Sequence, residues 1–416
     1  MQENKLIEKK GMGLFEMLFI AFFAAYSILP SFGGMFPFTI VFMASLGYAL
    51  AIAMFESKAS AKLSRFLIMI CVLVLVYIIT CETKTIAQNV ANREIKVFMS
   101  KMNQYFSMFF PLLLFYRLKE HAGHRNKMLL LIFSYGLVGY VFVKTLMEMI
   151  ANPGITRHWE EFAKISESNI GSYSYVYSIP FMAVIFGMFL LRTKSVLLKI
   201  IYLASIAVCI YFLLLAQYTL ALLITIIGMV VLFVQVYDSV PIKALIICLV
   251  IAFFVLAPYI FSWLADNVPS EQMSIRLREI SEFFISGDAT SSANLGGRMM
   301  LYTESFKYFL RSPLYGNKSV RFDPHSTILN IMCDTGVLGF LPFMYVFTGC
   351  NKVAKSLLGE GKKMFFPMFF MLIAMGLTNP IHSASSITFT VWFIVPLSID
   401  LFMNKREDEQ NESVEG

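Results

Sequence analysis

The chain has 416 residues, 58% of them hydrophobic and only 15% charged, with a mean hydropathy of +0.69. Soluble domains carry about 45–50% apolar and about 25% charged residues, so the excess needs a bilayer, and the composition argues against a soluble enzyme, a secreted disulfide scaffold, a disordered protein or a nucleic-acid binder. The formal net charge of +7 needs no nucleic acid, because cations collect in the cytoplasmic loops of membrane proteins.

A spanning helix needs about 20 apolar residues. Twelve long runs, apolar with few charges, meet or approach that length: 14–30, 35–55, 66–80, 98–116, 128–150, 173–191, 198–216, 218–237, 242–263, 327–350, 364–379 and 387–403. In lipid such runs have to be helices, since every backbone polar group must be satisfied within the segment. The first run is too long for a signal peptide and has no small-x-small cleavage site after it, so it reads as a retained anchor. The expected fold is an all-α polytopic membrane protein of about twelve transmembrane helices. Nine spans fill 1–263, a large hydrophilic loop covers 264–323, three spans fill 324–403, and an acidic tail follows at 404–416.

Orientation follows from Lys and Arg. With both termini cytoplasmic, the inner segments hold 20 of the 34 cations and the outer segments hold seven, apart from the long loop. That bias is the positive-inside pattern. The six cysteines give no framework: Cys71, Cys209, Cys248 and Cys350 sit in or beside apolar runs, while Cys81 and Cys333 have no metal spacing.

The long loop is patterned. Residues 270–284 (SEQMSIRLREISEFF) read as an amphipathic helix capped by Ser270, with Met273, Leu277, Ile280 and Phe284 on one face. SGDATSSANLGG follows as a flexible linker by composition. Residues 298–311 (RMMLYTESFKYFLR) read as a second amphipathic helix. From Arg298 to Arg321 the loop holds five cations: Arg298, Lys307, Arg311, Lys318 and Arg321. Arg presents a planar fork that matches phosphate, so the cluster points to an anionic ligand; the plainer alternative is a solvated face near lipid headgroups.

Asp323-Pro324 offers an N-cap and a first helical residue. His325 would then enter the first turn, where the helix dipole disfavours imidazolium and leaves a ring able to accept a proton. The alternative for His325 is a capping or interface role. His382, on the short outer loop TNPIHSASS, and Arg157 with His158, in the outer loop 151–172, are further candidates. His121 and His124 lie in a cytoplasmic loop with Arg125 and Lys127. Glu16 is an acid within the first span, and intramembrane acids are candidates for function. There is no D-x-D motif, no P-loop and no His/Cys/carboxylate cluster with metal spacing. An enzyme with this sequence is expected to use no metal and no cofactor.

The run from Gly297 to Gly339 resembles the signature region of the O-antigen polymerase and ligase superfamily. The matching pieces are Gly297-Arg298, Leu301-Tyr302, Pro313-Leu314-Tyr315-Gly316, His325-Ser326 and Gly336-Val337-Leu338-Gly339. They cover about a tenth of the chain. Ser326 stands where many members have Asn, and Gln217-Tyr218-Thr219 stands where many have Ser-Arg. The resemblance implies a bacterial cytoplasmic (inner) membrane protein whose large loop faces the periplasm. It implies glycosyl transfer from an undecaprenyl-diphosphate-linked oligosaccharide, with Arg298 holding the diphosphate and His325 as general base. Arg311, Lys318, Arg321, Tyr302, Arg276, His382 and Arg157 are the further candidates for binding diphosphate or glycan. A flippase and a chain-length regulator are the implied partners, besides membrane lipid. The high Phe and Met content favours a polymerase over a ligase that transfers the glycan to lipid A-core. A lipid-linked oligosaccharide flippase is the non-enzymatic alternative, set back by the scarcity of charges within the spans and the lack of an internal repeat.

Overall fold

The computed structural model describes residues 12–56, 58–81, 91–152, 155–157, 167–237, 239–268, 271–286, 293–316 and 326–403. No strand occurs among them. In chain order the helices are α1 (Leu14–Ile28), α2 (Pro30–Met35), α3 (Phe38–Phe55), α4 (Lys58–Cys81), α5 (Ala91–His121) and α6 (His124–Ala151). Next come α7 (Tyr173–Val176), α8 (Ile179–Arg192), α9 (Val196–Leu215), α10 (Thr219–Val236), α11 (Val240–Asn267), α12 (Glu271–Ser286) and α13 (Ala293–Arg311). The last are α14 (Thr327–Leu358), α15 (Lys362–Thr378), α16 (Ser385–Phe389) and α17 (Val395–Met403).

Each of the twelve apolar runs is mostly helical, with breaks or ends at residues such as Phe36, Pro37, Tyr177 and Asn379. Among the described residues, eight segments are long and apolar enough to cross a membrane, with α7 and α8 counted as one, α14 and α15 as another and α16 to α17 as a third. The protein is a polytopic helical membrane protein.

The hydrophobic pattern decides which helices are central. Residues 387–399 hold no charged side chain and are apolar all round, the mark of a helix surrounded by protein. The segment Ser385–Phe402 is accordingly 83% buried, against 12% for the span within α11. Trp392 is fully buried, its ring centre 5.9–6.3 Å from those of Phe109, Phe365 and Phe369. Between α16 and α17 the helix widens into a π turn at Thr390–Ile394. Pro396 has no N–H to return to the Trp392 carbonyl, and the wide turn directly precedes it. The second half of α5, Tyr105 to Leu118, is buried almost without interruption beside this helix. The outer faces of α6, α9 and α11 expose Leu, Ile and Val, as lipid contact requires.

One end of the bundle, the basic end, is tied by ion pairs. Arg117 near the end of α5 bonds Glu16 of α1 through Nε at 2.8 Å and Nη2 at 3.1 Å, and reaches Glu56, just past α3, through Nη1 at 2.5 Å. The Tyr48 hydroxyl also donates to Glu16. Lys119 and Lys127 converge on Asp400 of α17 at 3.1 and 3.0 Å. Glu16 is therefore a structural tie between helices, and His121, expected in a solvated loop, ends α5 with Nε2 3.5 Å from Glu56. The Arg117 side chain is 12% exposed. Arg117→Met would leave two carboxylates without their cation, at a cost of about 3–5 kcal/mol. Arg278→Met, which breaks a pair whose side chains are 60% and 57% exposed, is expected to cost under about 1 kcal/mol. Melting of the two variants in detergent should separate them clearly.

The hydrophilic loop differs from the sequence expectation at its edges. The first amphipathic helix runs to Ser286, with Ser270 outside the described residues. It folds back along α11: Leu277 is buried with Ala257, Phe261 and Ala265, and Ser281 Oγ donates to the Pro258 carbonyl at 2.8 Å. The second begins at Ala293, so Ala293–Gly297 of the expected linker are helical. A helix's first turn makes few intrahelical bonds through its own N–H groups, so its weak formers Asn294, Gly296 and Gly297 cost less there. The short link Pro30–Met35 between the first two runs is also helical, opened by Pro30 at the first helical position.

Candidate functional site

The end of the bundle opposite the ion pairs, the loop end, holds the described pieces of the sequence signature. α13 leads to the turn Pro313–Gly316. That turn docks into a break in α14, where Gly336 adopts φ 60°, ψ −161°. The break leaves the next two N–H groups of α14 without helical acceptors. The loop supplies them: Val337 N–H donates to Pro313 O at 2.8 Å and Leu338 N–H to Leu314 O at 3.3 Å. A Cβ on Gly336 would lie 2.5 Å from the Leu314 carbonyl, and one on Gly316 (φ 74°) would lie 2.2 Å from Asp334 O. Only glycine lets the two backbones meet.

The start of α14 is anchored to the loop after α15. Ser326 caps the helix by accepting Leu329 N–H at 3.1 Å, and its hydroxyl donates to Gly376 O at 3.1 Å. The helix thus begins at Thr327, and His325 precedes the cap rather than entering the first turn as the Asp-Pro pair suggested. Thr327 N–H donates to Asn379 O at 3.1 Å. Thr327 Oγ1 lies 3.2 Å from Asn379 O, 3.0 Å from His382 Nδ1 and 3.4 Å from His382 N. One arrangement satisfies all three: the hydroxyl donates to Asn379 O and accepts from His382 Nδ1–H and N–H. The His382 ring stacks on Tyr105 of α5, centres 5.2 Å apart and planes 13° apart. His382 is only 8% exposed, so the loop after α15 is a buried junction. From α13, the Tyr302 hydroxyl donates to Thr378 O at 3.3 Å, next to Asn379.

The junction extends further. Ser386 N–H donates to Ser174 Oγ at 3.1 Å, and Ser386 Oγ to Ser27 O at 2.7 Å. Next to Ser174, Tyr173 lies 6.3 Å from Tyr218, ring centre to ring centre. Arg157 sits 5.3 Å over the Tyr218 ring and donates from Nη1 to Gln217 O at 3.1 Å. Gln217 holds φ 59°, a left-handed conformation uncommon outside glycine.

Two candidates, Tyr302 and His382, therefore belong to one hydrogen-bonded junction around Asn379, while Arg157 lies beside it, near Tyr173 only through the Tyr218 ring. Arg311 is exposed over Tyr308 and lies apart from it. Arg298 lies on α13 one turn before Tyr302, and Arg276 on α12, but their side chains are outside the described residues, as are His325, Lys318 and Arg321. Sequence reasoning missed Tyr105, Thr327 and Asn379. Only Asn379 carried a signal, the Asn-Pro helix break. Two buried amide oxygens also flank the junction: Gln104 Oε1, beside Tyr105, and Asn330 Oδ1, one turn after Thr327. Neither has a hydrogen-bond partner among the described residues.

Thr327→Val keeps the shape of the side chain and removes the shared hydroxyl. It leaves the His382 ring without this partner in a buried site, at an expected cost of about 1–3 kcal/mol. The check is melting in detergent against Thr348→Val, whose hydroxyl only back-bonds within its own exposed helix.

No protein-family model matches the chain, and no curated protein matches it.

Proposed function

We propose that this protein is a surface-polysaccharide polymerase of the O-antigen type. It joins undecaprenyl-diphosphate-linked oligosaccharide units at the periplasmic face of a bacterial inner membrane, with about twelve spans and both termini cytoplasmic. The observation that carries the reading is the docking of Pro313–Gly316 into the Gly336 break. Two separated pieces of the resemblance explain each other there. The same contact holds the helix of Arg298 against the helix that follows His325.

In the proposed reaction an acceptor sugar hydroxyl attacks the anomeric carbon of a lipid-linked glycan. The carbon–oxygen bond to the diphosphate breaks, and undecaprenyl diphosphate leaves with the electron pair. Arg298, aided by Lys318 and Arg321, stabilises the charge that grows on the diphosphate. His325 takes the hydroxyl proton.

The test is deletion of the gene, then sizing of surface glycan and undecaprenyl-linked glycan. The reading expects single repeat units on the surface acceptor and no long chains. A bare acceptor with long chains on undecaprenyl would make the protein a ligase. Units held on the cytoplasmic leaflet would make it a flippase.

A further inference from the structure

At the basic end a cleft of about 560 Å³ opens between α1 and α3. This lies within the range of about 300–1,000 Å³ typical of small-molecule sites. Its walls are Phe15, Phe19, Ala44, Ala51, Ile52 and Phe55, and its floor is Glu16, Tyr48, Glu56 and Arg117. Phe15 and Phe55 are 85% and 82% exposed, so the apolar rim faces the bilayer.

The floor is not neutral. Glu16 and Glu56 carry two negative charges and Arg117 one positive. Glu16 accepts three hydrogen bonds: Oε1 from Tyr48 and Arg117 Nε, and Oε2 from Arg117 Nη2. Glu56 Oε1 accepts from Arg117 Nη1. Glu56 Oε2 has only His121 Nε2 at 3.5 Å, too long for a firm hydrogen bond. The cleft thus offers an apolar slot whose described lining sets two carboxylates against one guanidinium and ends on the least engaged carboxylate oxygen, Glu56 Oε2. Lys58, exposed at the start of α4, adds a cation two residues beyond Glu56 along the chain.

We propose that this cleft binds one phosphatidylethanolamine molecule. An acyl chain fills the slot between α1 and α3. The ammonium group donates to Glu56, and the phosphodiester lies toward Lys58. An anionic lipid fits worse, because Arg117 already serves both carboxylates and the field repels a phosphate at the floor. A choline headgroup has no N–H to donate. In the orientation proposed above, this is the cytoplasmic leaflet, and the site is independent of the glycan chemistry at the other end.

The test is native mass spectrometry of the full chain. The protein is delipidated in detergent, then given equal amounts of phosphatidylethanolamine, phosphatidylcholine and phosphatidylglycerol with the same acyl chains. The expected result is one retained phosphatidylethanolamine per chain. Glu56→Gln lowers that retention about tenfold, as loss of a hydrogen bond to a charged group implies. Ala51→Phe fills the slot, keeps every charge and abolishes retention with an unchanged melting profile. Equal retention of the other lipids, or normal retention of phosphatidylethanolamine by Ala51→Phe, would overturn the proposal even if Glu56→Gln fails to fold.

Discussion

Replacing His325 with Ala is expected to lower glycan lengthening by about 10²–10⁴-fold, the range for loss of a positioned general base. Arg298→Ala is expected to lose about 10²–10³-fold, as for removal of one donor to a developing anion. Arg298→Lys keeps the charge without the planar fork and should recover only part of the loss. Arg311 is the internal control. It belongs to the same basic cluster but is exposed over Tyr308, so Arg311→Ala should change the rate by only a few-fold. The readout is chain length of surface glycan in a deletion strain complemented to equal protein level. Full activity in His325→Ala would remove the general base from the mechanism. A loss in Arg311→Ala as deep as in Arg298→Ala would mean that overall loop charge matters and a particular contact does not.

Gly336→Ala and Gly316→Ala should each destabilise the protein by about 2–4 kcal/mol. A left-handed non-glycine residue costs roughly 1–2 kcal/mol, and overpacking adds about 1–3 kcal/mol. The new Cβ atoms would meet backbone at 2.5 and 2.2 Å, which cannot move aside as a flexible side chain can. The expected outcome is a lower melting temperature in detergent together with lost lengthening. Leu314→Ala tests the alternative that side-chain burial holds the turn. Leu314 is 57% exposed, and its contribution at the break is its carbonyl, so this change should be tolerated. A native melting profile for Gly336→Ala would show that the turn does not seat in α14.

The helical membrane character was legible because bilayer burial imposes long apolar runs, and most of each such run is helical. Central and peripheral helices were less legible. The second half of α5 and the whole of α9 are both long apolar runs, yet only that half of α5 is wrapped by protein. At the site, the spacing of Pro313–Gly316 and Gly336–Gly339 was visible as a motif. Its physical cause was not, because hydrogen bonds from α14 N–H groups to a distant turn leave no local pattern. His382 was picked out by residue type and a neighbouring Asn-Pro break. Its partners Thr327 and Tyr105 are a common hydroxyl and a common aromatic, 55 and 277 residues away along the chain. Glu16 drew attention as an acid in a span, and only the fold pairs it with Arg117.

The most direct measurement uses purified protein in liposomes, supplied with undecaprenyl-diphosphate-linked repeat units and a metal chelator. Lengthened glycan and released undecaprenyl diphosphate are counted together. The account predicts a ladder of lipid-linked chains, with one undecaprenyl diphosphate freed for each new glycosidic bond and none made by His325→Ala protein. Repeat units that cross the bilayer without lengthening, or that lengthen equally well with the His325→Ala protein, would contradict it.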